Sequence, residues 1–466
     1  MNAVWMKLTR SLRAFRGASA GNVAITFALA TLPIVGTVGF AVDYSHANAV
    51  KASMQAALDS TALMLSKDAA TSSSSDLQTK ALAYFNALFT RPEATNVKIA
   101  ASYSTTGGSQ VLVTGSASVP TSFLGVIGYQ NINVNGSATA AWGSTRLRVA
   151  LVLDNTGSMA DDGKMTALKS ATKSLLSQLQ SAAGTNGDVY VSIIPFAKDV
   201  NVAANNYNAN WIDWDDWETA NGSWVNSTSC TSKSSRGKSR CTTTQTWVPS
   251  NHNTWNGCVT DRDQNYDQLV TTPVPSDANL PSNVASTLFP AEQYDACPVA
   301  VMGLSYNWTA MNNLVNSMQP NGGTNQPIGL AWGWQSLVGG GPLTAPAMDS
   351  NYQYQQIIIL LSDGLNTQDH WYGNGTTTST QVDARMYDST KSGAGTCANA
   401  KASGVTIYTI QVNTAGDPTS TLLKNCAGSK DMMSDPSKFF MVTSSSGIAS
   451  VFNSIGTNLT KLRVAK

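Results

Sequence analysis

The sequence predicts an α/β protein whose largest part is a doubly wound, Rossmann-like sheet. Residues 149–153 (Val-Ala-Leu-Val-Leu) and 357–361 (Ile-Ile-Ile-Leu-Leu) have the length and composition of strands that are buried on both faces. Residues 189–196 form a further strand-like run. Between this run and 149–153, residues 164–179 place leucines at helical spacing. Alternation of buried strands with amphipathic helices is typical of a parallel sheet covered by helices on both sides.

Polar side chains follow both buried strand runs. The first run ends in Asp154-Asn-Thr-Gly-Ser158, which places one carboxylate and two hydroxyls at alternate positions. The second run ends in Ser362-Asp-Gly364, and a glycine turn, Gly322-Gly-Thr-Asn325, presents Thr324 ahead of an apolar helical stretch. Loops at the carboxyl ends of parallel strands meet at one edge of a sheet. These oxygen groups suit Mg²⁺, which takes about six ligands and leaves some positions to water or to a partner.

The order of these three motifs resembles a von Willebrand factor A (VWA) domain with its metal-ion-dependent adhesion site (MIDAS). The resemblance implies a divalent cation, Mg²⁺ or alternatively Ca²⁺ or Mn²⁺, and a partner protein that contributes a carboxylate to it. The family more often has Ser where Thr156 stands, which keeps the hydroxyl. A VWA fold whose site is structural or empty is the alternative. The implied metal ligands are Asp154, Thr156, Ser158, Thr324 and Asp363.

A membrane-spanning helix is predicted near the amino terminus. Residues 1–20 carry four basic residues and no acidic one, and residues 21–42 carry no charge over a length that can cross a bilayer. By the positive-inside rule, 1–20 is a cytoplasmic basic segment of a single-pass protein, and the bulk of the chain lies on the far side of the membrane. If the cell is a Gram-negative bacterium, the membrane is the inner membrane and the bulk of the chain is periplasmic. A secretory signal cleaved after Ala47-Asn-Ala49 is the alternative, although its apolar region is normally about 7–15 residues.

The amino-terminal segment carries a second resemblance. The run from Arg16 through Gly21 and Thr26 to Ala30, with Asp43-Tyr44 further on, is similar to the start of the TadE/TadG-like proteins of tight-adherence (Flp) pilus assembly. Processed pseudopilin members have Glu where Thr26 stands, so the resemblance implies a retained anchor. A VWA domain in the same chain points to the TadG-like member, which implies protein partners in the pilus or in its assembly machinery.

Residues 43–144 are expected to form a helical stem and a small α+β stalk module. A helix is predicted over 48–67, with a polar break at 71–76. Short alternating runs at 97–103, 110–114 and 132–139 predict an antiparallel sheet. The VWA domain then occupies 145–466.

Within that domain, residues 199–303 interrupt the doubly wound pattern. They hold a group of tryptophans and four of the six cysteines, which predicts a disulfide-rich insertion. In an exported chain we expect the six cysteines to form disulfides, and free buried thiols are the alternative. Six cysteines allow 15 pairings, between which sequence alone does not choose, and pairing of nearest neighbours along the chain is our working hypothesis. The tryptophans form either a partner- or glycan-binding surface or the core of the insertion. Residues 261–267 begin like an EF-hand loop but lack its Gly and its last Glu, so a polar turn is favoured over a calcium site.

The pattern resumes after the insertion. Helices are predicted over 308–318, 327–338, 382–401 and 448–462, with strands at 405–412 and 439–442. The last helix is expected to close the domain.

Composition and motifs narrow the classes of function. Charged residues are 12% of the chain and the formal net charge is +1, so no overall field recruits nucleic acid. No phosphate loop or G-x-S-x-G motif occurs, and we expect no enzyme. The predicted function is metal-dependent binding of protein partners by an anchored extracytoplasmic VWA protein that assists Flp/Tad pilus assembly or anchoring. A cell-surface adhesin for host or matrix ligands and a structural envelope module with an unused metal site are the alternatives.

Overall fold

The computed structural model contains two compact units, with the boundary between Ser144 and Thr145. Each unit has its own hydrophobic core. The described residues are 20–105, 108–142, 145–231, 240–274 and 282–464.

The first unit combines two helices with a three-stranded antiparallel sheet of order β1-β2-β3. The first helix contains Pro33 and, from Ile25 to Leu65, is long and apolar enough to cross a membrane. The predicted span therefore lies in a helix of suitable length and composition, and the predicted helical continuation and antiparallel sheet are present. The elements are α1 (Ala20–Leu65), α2 (Ser74–Leu88), β1 (Thr95–Ser104), β2 (Ser109–Pro120) and β3 (Asn131–Trp142).

Helix α1 changes character along its length. From Gly39 onward, small and apolar side chains are buried at intervals of three or four residues, as expected for a helix that packs on one face. Val50, Met54 and Leu58 are fully buried in a core that also contains Val111 and Val113 of the sheet. The side chains described between Ile25 and Val38 are mainly exposed. The carboxyl-terminal part of α1 is thus a core helix, and the amino-terminal part is unpacked in its own unit.

The second unit is built on one long sheet. The strands of the second unit are β4 (Thr145–Asp154), β5 (Val189–Phe196), β6 (Val200–Asn201), β7 (Ile212–Asp213), β8 (Gly222–Thr231), β9 (Arg240–Pro249), β10 (Cys258–Val259), β11 (Phe289–Glu292), β12 (Met302–Ser305), β13 (Gln353–Ser362), β14 (Thr406–Val412) and β15 (Phe439–Val442). Its helices are α3 (Lys164–Ala182), α4 (Asp215–Ala220), α5 (Trp308–Ser317), α6 (Gln326–Val338), α7 (Thr380–Met386), α8 (Thr396–Ala402), α9 (Thr421–Cys426) and α10 (Gly447–Val464).

The order of strands along this sheet is β15-β14-β13-β4-β5-β6-β10-β11-β7, and β12 pairs with β5. The five strands from β15 to β5 run parallel to one another. Alternate residues of β4 point to opposite faces, so Leu151 and Leu153 pack with α3, α5 and α10, whereas Ala150 and Val152 pack with α6 and its neighbours. The predicted doubly wound α/β fold is confirmed.

Residues 199–303 divide between the sheet and a separate hairpin. The short strands β6, β10, β11 and β7 extend the edge of the main sheet beyond β5. Strands β8 and β9 pair only with each other among the described strands. Part of this stretch therefore continues the main sheet, which the sequence pattern did not predict because these strands are two to four residues long.

All six cysteines are paired. The pairing joins nearest neighbours along the chain, as predicted: Cys230–Cys241, Cys258–Cys297 and Cys397–Cys426. The first bridge joins β8 to β9, and the last joins α8 to α9. The insertion therefore holds two of the three bridges.

One helix prediction is wrong. Residues 382–401 do not form a single helix but lie in α7 and α8, separated by a turn. Gly393 and Gly395 in this turn have positive φ values of +80° and +128°, which interrupt any helix. A Cβ atom at Gly395 would lie 2.6 Å from the carbonyl oxygen of Met386, so the turn also requires the absence of a side chain there.

Candidate metal centre

Asp154 is the last residue of β4 and is fully buried at the carboxyl edge of the sheet. Its Oδ1 atom accepts hydrogen bonds from the backbone N–H of Thr156 at 2.8 Å and from the Thr156 hydroxyl at 2.6 Å. Its Oδ2 atom accepts a hydrogen bond from the hydroxyl of Ser362, the last residue of β13, at 2.6 Å. The carboxylate is thus fixed by groups from two adjacent parallel strands.

Ser158 and Asp363 continue this network. The Ser158 hydroxyl donates to Asp363 Oδ1 at 2.7 Å and lies 3.2 Å from the Thr156 hydroxyl. Four of the five predicted ligand residues are therefore linked by direct contacts: Asp154, Thr156, Ser158 and Asp363. Residues that are 205 positions apart in the sequence meet because β4 and β13 are neighbours in the sheet.

The loop that carries Thr324 lies next to this cluster of carboxylates and hydroxyls. The backbone N–H of Gly157 donates to the carbonyl of Gly322 at 3.0 Å, which ties the first loop to the second. A Cβ atom built on Gly364 would lie 3.6 Å from both the Ser158 and the Thr324 hydroxyl oxygens. Thr324 itself is buried, and its N–H donates to the Thr367 hydroxyl at 2.8 Å. The structure brings all five predicted residues to one edge of the sheet.

A lysine is also part of this cluster. Lys164, the first residue of α3, places its ammonium 2.6 Å from Asp363 Oδ2 and 3.0 Å from the carbonyl oxygen of Ser158. The Lys164 and Asp363 side chains are 8% and 0% exposed, so solvent screens this ion pair little. The ammonium offsets one of the two carboxylate charges in the cluster.

Burial and charge perturb the titration of Asp154. Desolvation in the fully buried site, together with the neighbouring charge of Asp363, raises the pKa of Asp154 to about 7. Hydrogen bonds from Ser362 and Thr156 act in the opposite direction and favour the ionised form. Two buried acids beside one lysine leave an excess of negative potential, which is the condition that a divalent cation relieves.

The donor set fits a small hard cation. Adjacent oxygens around Mg²⁺ lie about 3 Å apart when each metal–oxygen distance is about 2.1 Å. The contacts in the cluster, 2.6 Å from Thr156 to Asp154, 3.2 Å from Thr156 to Ser158 and 2.7 Å from Ser158 to Asp363, are close to that spacing. Hydroxyls and carboxylates are ligands that Mg²⁺ and Mn²⁺ prefer. The residues present therefore fit the implied metal.

Sequence reasoning missed two contributors to the centre. The Ser362 hydroxyl binds Asp154, although the sequence motif indicates a role only for its neighbour Asp363. The contact of Lys164 with Asp363 spans 199 positions, and the only sequence signal for it is the position of Lys164 at the start of the helix after the metal motif.

Other acidic residues lie outside the centre. Asp161 and Asp162 are exposed on the turn before α3. In the EF-hand-like stretch, Asp267 pairs with Arg385 at 2.7 Å, and Asp261 accepts a hydrogen bond from Asn325 at 2.7 Å. No group of three or more His, Cys, Asp or Glu side chains that could hold a metal occurs in the described part of the chain.

The tryptophans of the insertion divide into buried and exposed members. Trp217 and Trp255 are buried, and each meets the ring of Trp214 edge to face with centroids 5.3 Å apart. Trp224 is 64% exposed and packs on Trp247 of the β8–β9 hairpin. The buried rings form a core, and Trp224 is left at the surface.

Comparison with known proteins identifies the amino-terminal segment. Residues 21–66 match the Tad family, described as Flp pilus-assembly TadE/G-like. The predicted TadE/TadG-like segment is therefore confirmed over that range. None of the curated proteins matches this chain in sequence.

Several solved structures resemble this chain with low similarity. The pilus adhesin SpaC from Lactobacillus rhamnosus GG matches with 16% identity and a TM-score of 0.34, over 80% of this chain and 36% of that one. The vWF domain of the type V pili tip protein Mfa5 from Porphyromonas gingivalis matches with 11% identity and a TM-score of 0.34, over 70% and 98%. Proximal thread matrix protein 1 from the mussel byssus, with a zinc-occupied MIDAS motif, matches with 14% identity and a TM-score of 0.30, over 68% and 46%. This chain thus spans less than half of the SpaC and mussel chains.

Proposed function

We propose that this chain is a membrane-anchored, extracytoplasmic VWA protein that binds protein partners through a divalent cation and assists the assembly or anchoring of a Flp/Tad-type pilus. The supporting observation is the buried cluster of carboxylates and hydroxyls at the sheet edge, in a chain whose amino-terminal segment matches the Tad family. The basic residues before the apolar helix favour a cytoplasmic amino terminus and a periplasmic bulk in the bacterial inner membrane.

In this proposal some side chains bind the cation directly and others orient these ligands. Asp154, Thr156, Ser158, Thr324 and Asp363 supply oxygen ligands, Mg²⁺ being the first choice and Mn²⁺ or Ca²⁺ the alternatives. When bound, the cation supplies a Lewis-acidic position that accepts a carboxylate from a partner protein. Ser362 orients Asp154, and Lys164 orients Asp363 while lowering the net negative charge. No catalytic role is proposed for any of these residues.

The metal part of the proposal is tested with the purified full-length chain in detergent micelles. A cation that binds only the folded form stabilises it by about 2.7 kcal/mol at a concentration of 100 times Kd. We expect Mg²⁺ to raise the melting temperature of the wild type and of Asp161→Ala, an exposed control, and EDTA to reverse the shift. Asp154→Ala should not respond. An equal response of Asp154→Ala would remove the ligand assignment.

The pilus part is tested in cells that express the chain. We expect Asp154→Ala to reduce the number of pili seen by electron microscopy, with the protein present at wild-type abundance in the membrane fraction. Asp161→Ala serves as the matched control and should leave piliation unchanged. Normal piliation in the Asp154→Ala strain would reject metal-dependent pilus assembly.

A further inference from the structure

The turn between β2 and β3, residues 121–130, is an exposed apolar surface, called here the hairpin tip. Its sequence, Thr-Ser-Phe-Leu-Gly-Val-Ile-Gly-Tyr-Gln, has no charged residue. Val126, Ile127 and Tyr129 are 86%, 69% and 68% exposed, and Phe123 is 47% exposed. Single exposed apolar residues need no explanation, whereas a contiguous group of this kind marks a contact surface.

The hairpin tip is an ordered structure. The Thr121 hydroxyl donates to the carbonyl of Tyr129, and the Thr121 N–H donates to the carbonyl of Gln130 at 3.0 Å, which together close the base of the turn. Gly128 has φ of +99° and donates to the carbonyl of Gly125 at 3.2 Å. The backbone therefore holds the exposed side chains of Val126 and Ile127 in fixed positions.

Helix α1 fixes where the hairpin tip lies. The Asp43 carboxylate accepts hydrogen bonds from the N–H groups of Ser122, Phe123 and Leu124 at 3.0, 2.9 and 2.7 Å. A Cβ atom at Gly39 would lie 2.5 Å from the Cβ of Phe123, so only glycine allows this close approach. The hairpin tip is thus attached to α1 at the turn that contains Gly39 and Asp43.

This attachment point coincides with the end of the unpacked part of α1. The helix before Gly39 runs from Ala20 to Val38 and is about 28 Å long at 1.5 Å per residue. The hydrocarbon core of a bilayer is about 30 Å thick. The rings of Phe40 and Tyr44 stack near this level with centroids 5.9 Å apart, and aromatic side chains are enriched at the membrane–water interface.

We infer that the hairpin tip is a second membrane contact. It inserts Val126, Ile127 and the rings of Phe123 and Tyr129 into the membrane–water interface on the side where α1 leaves the bilayer. The inference rests on the proposed membrane anchoring by α1. The hairpin tip and α1 then both contact the bilayer, and two contacts fix the height and orientation of the first unit on the membrane. An uncharged apolar surface suits the boundary between headgroups and acyl chains.

A lipid surface fits the hairpin tip better than a protein does. Val38 and Val42, which flank the attachment point on α1, are also apolar and are 59% and 50% exposed. Because the tip is attached to α1 where the proposed membrane span ends, a partner protein that covered the tip would also have to contact the membrane surface. The tip offers no charged group to recognise a specific protein or lipid headgroup, which leaves apolar contact as its chemistry.

The test places a nitroxide spin label at one introduced cysteine in the full-length chain, in vesicles of phosphatidylethanolamine and phosphatidylglycerol. The six native cysteines are paired, so the introduced thiol reacts alone. Val126→Cys reports on the hairpin tip and Ala30→Cys on the membrane span. Thr114→Cys is the matched control, because Thr114 is exposed on strand β2 of the same hairpin. Thr114 lies about 20 Å along the strand from Pro120, where the tip begins, at about 3.4 Å per residue. Collision of each label is measured with oxygen, which dissolves in lipid, and with a water-soluble nickel chelate.

We expect the ratio of oxygen to chelate collisions at Val126 to exceed that at Thr114 by at least about tenfold, because a charged chelate is excluded from the apolar layer. If Val126 resembles Thr114 while Ala30 is in lipid, the inference fails and the membrane anchor stands. If all three labels are in water, the anchor itself is rejected and the inference with it. Shielding of Val126 from both reagents that increases with the protein-to-lipid ratio would show that another copy covers the tip and would also overturn the inference.

Discussion

Lys164 places a positive charge in direct contact with the candidate metal centre. Its buried ammonium lies 2.6 Å from Asp363 Oδ2 and repels any cation held by the same carboxylates. We expect Lys164→Met to strengthen Mg²⁺ binding by roughly tenfold and to lower the melting temperature in EDTA, because Asp363 loses its partner. Isothermal titration calorimetry measures the affinity. Lys169→Met, on the same helix but away from the site, should leave the affinity unchanged, and weaker binding by Lys164→Met would contradict this assignment.

We expect Asp199 to add a separate pH dependence to the free energy of unfolding. It is fully buried after β5, and desolvation together with the charge of Glu292 raises its pKa to about 8. The folded chain therefore holds the proton between about pH 4 and 8, where the unfolded chain releases it, so this group makes stability fall as pH rises through that window. We expect Asp199→Asn to remove this dependence and to gain roughly 1–3 kcal/mol at pH 8.5, with little change at pH 4.

Urea denaturation of the wild type and of Asp199→Asn at several pH values measures this effect. Asp162→Asn is the control, since Asp162 is exposed and should leave the pH profile unchanged. Parallel profiles for the wild type and Asp199→Asn would contradict the prediction.

Among single residues, the sequence predicted those whose position follows from a local motif. Asp154, Thr156 and Ser158 occupy one loop, and Thr324 and Asp363 each follow a recognisable pattern. Lys164 and Asp199 carry no such pattern, because their effects arise from burial and from partners that are distant in the sequence.

At the scale of elements, close packing of α6 on the sheet positions the loop that carries Thr324. A Cβ atom at Gly333 would lie 2.5 Å from Cγ2 of Val152, and one at Gly329 would lie 2.7 Å from the ring of Phe196. We expect Gly333→Ala to destabilise the fold by about 1–2 kcal/mol, because overpacking costs more than the helix gains from alanine. The shifted helix should also weaken Mg²⁺ binding.

Thermal denaturation and calorimetric titration of Gly333→Ala measure the two effects. Gly303→Ala is the matched control, since its Cβ would have no neighbour closer than 3.7 Å. An unchanged melting temperature for Gly333→Ala would show that α6 does not depend on this close approach.

Elements with a long periodic pattern were predicted well from sequence, and short elements were not. Strands β4, β5 and β13 are eight or ten residues long, and each contains an apolar run that is buried in the sheet. Helix α2 was missed although Ser73 caps it by accepting a hydrogen bond from the N–H of Asp76, because its position after a run of serines resembled a loop. The division between α7 and α8 depends on glycine conformations that hydrophobic spacing does not encode.

At the scale of the whole molecule, the proposed location separates pilus assembly from adhesion. A single-pass inner-membrane protein with a periplasmic bulk is protected by the outer membrane, whereas a surface adhesin is not. We expect proteinase K to leave the full-length chain intact in whole cells and to degrade it after the outer membrane is opened. The measurement is an immunoblot against the second unit, with a known periplasmic protein as the control. Degradation in intact cells would favour the adhesin.

The sequence predicted the overall architecture because each of its parts has a simple physical signature. An uncharged span of membrane length, alternating apolar runs, two polar loops after buried strands and a glycine turn that presents Thr324 are visible without coordinates. The attachment of the hairpin tip to Asp43 was not visible, because a carboxylate that accepts backbone N–H groups some 80 positions away has no local pattern.

We expect three loops of the second unit to enclose one divalent cation. Anomalous X-ray diffraction from crystals grown with Mn²⁺ measures this. We expect one peak enclosed by the side-chain oxygens of Asp154, Thr156, Ser158, Thr324 and Asp363, with direct ligands at about 2.2 Å. Crystals of Asp154→Ala grown at the same Mn²⁺ concentration should lack this peak. A wild-type map without a peak between these residues, or with manganese bound only elsewhere, would show that the three loops do not form a metal site.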